Sequence, residues 1–438
     1  MLNLNLSQSV GFRLIIISVL TFLLLIPTIF IVVMIEDRQE TNKSAGNEIS
    51  EKWGKVQIVT GPILKIPYRL PVRDSAGKII SKVEKEMIIL PESLSVKGKI
   101  NPEKRSRGIF EVVVYTANLN FDGDFNLSEV LKTRNSDDEI LWDEASLNIG
   151  ISDLAGLVNL VKINWNNSKI EVGSGTKITG LVPKGLSSSV AVSEKEKNYS
   201  FSGEIKLNGS TKLSFSPVGK TTTVELSSDW QDPKFSGAFL PLERNISEAG
   251  FSAKWNVLFI NRNYPQYWTE GSYKFEESSF GVDLIIPVDH YQKTLRTVKY
   301  AIMFIGFTFM AFFMIEVFDK KRLHPIQYLL IGIALVIFYT LLLSITEHLS
   351  FNWSYFIAGS ATIGIISLYT KSVLQNFKAT SLIFGILIVL YGFMFVVLQL
   401  EDYALMIGSF GLFSTLAIVM FVTRKVDWYQ LELKSEKE

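Results

Sequence analysis

Six apolar stretches, each of about the 20 residues that a helix needs to cross a bilayer, set the limits on what this chain can fold into. They are Leu14–Ile35, Val298–Val317, Ile326–Ile345, Asn352–Tyr369, Thr380–Leu400 and Tyr403–Thr423. In hydrocarbon every backbone N–H and C=O must be paired within the protein, so segments of this length are read as helices. The fold class expected is a polytopic α-helical membrane protein of six spans, with a long polar segment, Glu36–Thr297, inserted between spans 1 and 2. The first span is apolar apart from Ser18, Thr21 and Thr28, and Pro27 is expected to kink it. It exceeds the 7–15 residues of a signal-peptide core. The following Met34-Ile-Glu-Asp-Arg38 offers no small-residue cleavage site, so it reads as an uncleaved anchor.

Orientation follows from lysine and arginine in the short loops. Arg13 precedes span 1, and Lys320, Lys321 and Arg322 follow span 2. Lys371 and Lys378 sit between spans 4 and 5, and Arg424, Lys425, Lys434 and Lys437 follow span 6. All ten fall on one side, whereas the opposite loops, Thr346–Phe351 and Glu401–Asp402, carry none. The expected layout is a cytoplasmic N-terminus (1–13), an anchor (14–35), a periplasmic domain (36–297), a five-helix bundle (298–423) and a cytoplasmic tail (424–438), in a bacterial inner membrane.

Composition removes several function classes. Among 438 residues, 44 Lys and Arg balance 43 Asp and Glu, which argues against nucleic-acid binding. With no cysteine there can be no disulfide, thiol chemistry or iron–sulfur cluster, and three histidines leave little for a histidine-only metal site. The nucleotide loops G-x-x-x-x-G-K-[ST] and G-x-G-x-x-G are missing, as are the hydrolase signatures H-E-x-x-H and G-x-S-x-G. No nucleotide and no cofactor is implied.

The exported segment reads as mainly β, in antiparallel sheets packed as a sandwich or one long curved sheet. Glu36–Ser50 is a linker or an extension of the anchor helix. Strand candidates are Glu86–Leu90, Ile109–Tyr115, Leu119–Phe125, Leu147–Ile151, Lys162–Trp165, Thr221–Leu226, Ala253–Ile260 and Gly281–Ile286, with a short helical period at Leu154–Val161. Tyr199–Leu207 alternates apolar and polar residues, and Asn208-Gly209 is the preferred pair for a type I′ turn. A hairpin returning through Leu213 and Phe215 is therefore expected. Six tryptophans lie in the domain, as core and edge aromatics or as a ligand groove. Its Asn-X-Ser sequons read as chance, because a large cysteine-free exported domain suits a periplasm.

One constellation follows from topology. Asp289 and His290 precede span 2, Glu347 and His348 follow span 3, and Glu401 and Asp402 connect spans 5 and 6, all on the outer side. Two imidazoles and up to four carboxylates at one depth suit a divalent metal or a proton-handling site. They equally suit a structural role, hydrogen-bonding the β domain to the bundle. On the cytoplasmic side, His324-Pro325 opens span 3 with proline in its first turn, and Glu316 has Lys320 one turn later as an interfacial anchor pair. Ser360-x-x-x-Gly364 and Ala404-x-x-x-Gly408 have the spacing of close helix packing within the bundle. Tyr339, Tyr391 and scattered Ser and Thr are the polar groups at depth. With no ionisable residue at the midplane and no inverted repeat, transport is demoted.

Several motifs resemble those of the CreD family of bacterial inner-membrane cell-envelope integrity proteins. In the exported half they are Trp53-Gly54, Gly61-Pro62, Pro67-Tyr68, Pro102-Glu-Lys-Arg105, Ser227-Ser-Asp-Trp230, Phe235-Ser-Gly-Ala-Phe-Leu-Pro241 and Pro287-Val-Asp-His-Tyr-Gln-Lys293. In the membrane half they are Leu323-His-Pro-Ile-Gln-Tyr328, Glu347-His348, Gln399-Leu-Glu-Asp-Tyr403 and Asp427-Trp-Tyr429. The resemblance implies a role in envelope integrity and stress tolerance, including tolerance of colicins, and carries over no catalytic residue. The expected function is non-enzymatic, with the β domain binding an envelope partner (protein, lipid or peptidoglycan) while the helices hold it in the bilayer. Two alternatives stand beside it: a membrane-interface hydrolase or lipid-modifying enzyme using His290, Glu347, His348 and Asp402, and an exporter of lipid or small molecules.

Overall fold

The computed structural model describes residues 10–76, 78–133, 138–166, 168–286, 290–319, 323–400, 403–424 and 426. The chain forms two compact units, one of residues 1–41 and 288–438 and the other of residues 42–287. The unit boundaries thus fall at 41/42 and 287/288, inside the limits 36–297 read from the sequence.

Among the described residues, six helices are long and apolar enough to span a membrane, and their apolar parts lie in the helical unit. Helix α1 (Val10–Trp53) runs through Pro27 and far beyond the apolar block. Its polar continuation has few helix breakers, and Glu48–Lys52 forms an i,i+4 pair within it. In the other unit lies the short α2 (Ser128–Thr133). Helix α3 (His290–Lys299) adds a polar first segment to α4 (Ala301–Asp319), so the chain becomes helical well before the apolar block that marked span 2. Next come α5 (Pro325–Thr346), α6 (Phe351–Leu374), α7 (Phe377–Gln399) and α8 (Ala404–Thr423).

An aromatic cluster centres the bundle. Phe304 lies 4.8 Å from Tyr391 between ring centroids, Phe338 packs on both Tyr355 and Tyr391, and the Tyr355 hydroxyl donates to the Tyr391 carbonyl. The small-residue spacings expected to pack helices do not do so: a Cβ added at Gly364 or Gly408 would meet nothing within 4 Å. Close approach occurs instead at Gly332, where a Cβ would lie 2.1 Å from Leu24, and at Gly411, where it would lie 2.2 Å from the Phe393 ring. Lone glycines facing a bulky partner do the packing here.

The second unit is two facing sheets. The first has the spatial order β14 (Pro233–Gly237), β18 (Phe280–Leu284), β12 (Lys212–Ser216), β1 (Gln57–Arg73), β6 (Ser146–Ile151), β10 (Gly185–Ser189) and β9 (Gly173–Ser174). To it β2 (Ile79–Ile89) and β5 (Glu139–Ile140) add on β1, and β17 (Tyr267–Trp268) on β2. The second runs β15 (Glu243–Ser247), β16 (Gly250–Leu258), β13 (Thr221–Ser228), β3 (Ser93–Arg107), β4 (Phe110–Asn126), β11 (Asn198–Ser210), β7 (Lys162–Trp165) and β8 (Ser168–Glu171). Val59, Ile149 and Phe215 of the first sheet face Val96, Leu119 and Val224 of the second across one core. Pairing is antiparallel except for β1 with β12 and β3 with β13.

Three local expectations change. The candidates Ile109–Tyr115 and Leu119–Phe125 are one strand, β4, in unbroken register with β3 from Phe110 to Asp124. Leu154–Val161 is not helical beyond a single tight turn at Leu154–Gly156. The Asn208-Gly209 hairpin does not exist. β11 continues straight through both residues, with Asn208 opposite Thr116 and Gly209 opposite Tyr115. The chain then crosses at Thr211, which has a positive φ of 58°, into β12 of the other sheet. The glycine is there for space: a Cβ would lie 2.4 Å from the Tyr115 hydroxyl, which donates to the Lys212 carbonyl. The asparagine carboxamide accepts from Thr116, and its carbonyl accepts from the Gln57 amide.

The last turns of α1 belong to this unit and are fixed to β4 and the β3–β4 hairpin. Trp53 donates its indole N–H to the Tyr115 carbonyl, the Arg105 guanidinium lies 3.7 Å from the Trp53 ring centre, and Arg107 pairs with Glu48. Trp165, Trp255 and Trp268 are buried, as core aromatics should be.

Candidate functional site

The described members of the sequence-derived site, His290, Glu347 and His348, lie at helix ends: His290 opens α3, and Glu347 and His348 follow α5. Helix α5 stops at Glu347, and a tight turn formed by the amides of His348 and Leu349 on the Ile345 carbonyl leads into α6. This places Glu347 at the mouth of the bundle with its side chain 15% exposed, and its Oε1 lies 3.2 Å from Nε of Arg38 on α1. Tyr291, in the first turn of α3, is the third member. Burial pushes its phenol pKa above the ordinary 10.0, the nearby Glu347 charge adds to this, and Arg38 partly offsets it. His290 is half-buried, and its Nδ1 is without a hydrogen-bond partner among the described residues. His348 is exposed.

Asp289, Glu401 and Asp402 lie outside the described residues. Among the described residues, no group of three or more His, Asp or Glu side chains is arranged to hold a metal ion. What the fold brings together is an arginine–carboxylate pair beside a phenol. Glu347 is already neutralised by Arg38, a poor state for a general base and a good one for tying two helices together. Arg38 and Tyr291 were missed by the sequence reading. The available signal was that Arg38 is the first cation after span 1, and that Tyr291 follows His290 directly.

At the other end of the helices a second constellation has formed. Glu316 of α4 is 5% exposed and accepts from Nη1 of Arg13 at 2.9 Å and from the Tyr328 hydroxyl at 3.0 Å. The expected partner Lys320 lies outside the described residues; among the described residues the cation on Glu316 is Arg13 of α1. A cavity of about 240 Å³ adjoins these groups, lined also by His324 and Pro325. His324 is the N-cap of α5: its Nδ1 accepts from the Ile326 amide, and Gln327 accepts from the His324 amide, with Pro325 in the first turn. Its ring is thereby committed to structure.

A model of the CreD family, described as inner membrane protein CreD, matches residues 9–429. This chain belongs to the CreD family. It is 33% identical over 422 residues to the inner membrane protein CreD of Escherichia coli (strain K12), covering 95% of this chain and 93% of that relative. The match takes in α1, both sheets and α3 to α8, so the family is one of inner membrane proteins in which a large β unit interrupts the membrane helices.

Proposed function

We propose that this chain is a non-enzymatic inner-membrane protein that supports cell-envelope integrity and stress tolerance, colicin tolerance included. Its β unit stands on the periplasmic side and binds an envelope partner. The observation that carries this reading is the open edge of the second sheet. In β15, Arg244 and Ile246 pair with the buried Ala253 and Phe251, so their side chains lie on the core-side face. Yet every residue of β15 is exposed, and Leu240 and Leu242 just before it are 71% and 73% exposed. A strand at the end of its sheet, paired on one side with β16 alone among the described residues and led in by two exposed leucines, is a template for another strand. Of the three partner classes, it favours a protein contributing an extended segment.

The engagement of Glu347 by Arg38 and of His324 in a helix cap supports the non-enzymatic part of the reading. The hydrolase alternative keeps one observation in its favour, the Nδ1 of His290, which has no hydrogen-bond partner among the described residues. Complementation of a strain lacking the protein, challenged with detergent, separates the two. At normal membrane levels, a Leu240→Asp/Leu242→Asp variant should fail to rescue, and a His290→Ala/His348→Ala/Asp402→Ala variant should rescue fully. The opposite pattern would make the helix-end residues a working site and displace the partner-binding reading.

A further inference from the structure

Helix α8 differs from its neighbours. Helices α5, α6 and α7 each bury a face, whereas no residue of α8 is buried. Between α8, α7 and α4 lies a cleft of about 1340 Å³. It exceeds the roughly 300–1,000 Å³ of small-molecule pockets. Its walls are almost wholly apolar, with Met310 and Met314 on α4, Gly385 and Val389 on α7, and Ile418 and Val422 on α8. Along α7 the lining runs from Phe377 to Phe393, which at 1.5 Å per residue is roughly 24 Å, more than one leaflet and less than the whole of a core about 30 Å thick.

Ser414 and Thr415 line the cleft part-way along α8, but its one charged lining residue is at one end. Lys378, exposed and without an ion pair among the described residues, lines the cleft in the first turn of α7. Because α7 and α8 are joined by a short connection, the last turn of α8 with Arg424 lies at the same end. An apolar channel long enough for an acyl chain, opening on Lys378 and the N-terminus of α7, has the charge pattern of a phospholipid seen from the protein side; Arg424, stacked over Phe421, adds positive charge at that end without lining the cleft. A second copy of this chain, inserted in the same orientation, would instead bring like charge to that end.

We propose that this cleft is a binding site for one anionic phospholipid, its acyl chains lying along α7 between α4 and α8 and its phosphate at Lys378. This goes beyond the envelope role and does not depend on the β unit. Gly385 gives the means to test it, since a Cβ there meets nothing within 4 Å and a larger side chain would enter the cleft.

The test uses the full-length protein released from nanodiscs of mixed phosphatidylglycerol and phosphatidylethanolamine, with retained lipid read by native mass spectrometry. Wild type should keep phosphatidylglycerol in preference to phosphatidylethanolamine. Lys378→Gln should cut that preference about fivefold while retaining lipid, and Gly385→Phe should remove most retained lipid of both kinds. Three results would overturn the proposal. One is retained lipid in the bulk nanodisc ratio for wild type. Another is Lys378→Gln with unchanged preference, an outcome readable even if Gly385→Phe does not fold. The third is a wild-type dimer that Gly385→Phe dissociates, which would assign the cleft to a second copy.

Discussion

Oε1 of Glu316 lies 2.9 Å from Nη1 of Arg13, although the two residues are 303 positions apart in the chain. The pair ties the start of α1 to the end of α4, so the N-terminal anchor is an integral member of the helical unit. Leu24, buried against Gly332 of α5, makes the same connection by packing. The chain leaves the helical unit for the whole length of the β unit and still returns to pack against its first helix.

Removing one partner should therefore be costly. Arg13→Ala leaves the Glu316 carboxylate buried without its cation and should destabilise the helical unit by about 3–5 kcal/mol. Tyr328→Phe, which removes one neutral donor, should cost about 1 kcal/mol. Replacing both charges with apolar residues, Arg13→Met with Glu316→Leu, should recover most of the loss. Thermal unfolding of the detergent-purified proteins checks the order. A double variant less stable than Arg13→Ala would mean that the charges themselves, and not their mutual compensation, hold the helices.

The crossing at Thr211 makes an equally sharp expectation for Gly209. A type I′ hairpin turn would accept asparagine at this position, because asparagine tolerates positive φ. In the continuous strand seen here any side chain meets Tyr115, so Gly209→Asn should lower stability by at least about 1–3 kcal/mol. Tryptophan fluorescence during chemical unfolding would report it, since Trp53 bonds the Tyr115 carbonyl. Unchanged stability would restore the hairpin.

That position also shows where sequence reading stops. The spans were legible because hydrocarbon imposes a length on each helix, and the structure keeps all six. Their ends were less so: Glu36 to Trp53 and His290 to Lys299 are helical, but their polar residues carry no spanning signal. Strands with alternating burial, such as Lys162–Trp165, were found to the residue. Pairings between distant strands, such as β3 with β13, leave no local trace, and neither does a glycine chosen for a neighbour's hydroxyl. The helix-end site was legible only as an inventory. The sequence supplied Glu347, but its partner Arg38 lies on a helix whose extension beyond the membrane was one of two readings.

Acid should weaken the β unit in a salt-dependent way. Hydrogen bonds from Lys254, Lys82 and Lys85 hold Glu225, Glu139 and Glu270 below the ordinary glutamate value of 4.5. A carboxylate with a lowered folded pKa adds stability that is fully present above 4.5 and is lost as pH falls through its folded value. These pairs lie at the surface, so each contributes little and salt screens it. Unfolding midpoints measured from pH 7 down to pH 3 should fall at low ionic strength, and the part due to these pairs should shrink in high salt. A slope equally steep in high salt would place the acid sensitivity in buried groups instead.

The proposed placement of the β unit outside the cytoplasm can be tested cleanly because the chain contains no cysteine. A single introduced thiol is then the only one a maleimide can label. Lys195 in the β unit, Ser350 between α5 and α6, and Lys371 near the end of α6 are all exposed. If lysine and arginine mark the cytoplasmic loops, Lys195→Cys and Ser350→Cys should react with a membrane-impermeant maleimide in cells whose outer membrane alone is permeabilised. Lys371→Cys should react only after the inner membrane is broken. Ser350 caps the start of α6 and Lys371 sits in its last turn, so their contrast fixes the direction of α6 independently of the β unit. Labelling of Lys371→Cys in intact spheroplasts, with Lys195→Cys protected, would invert the topology and remove the basis for an envelope partner.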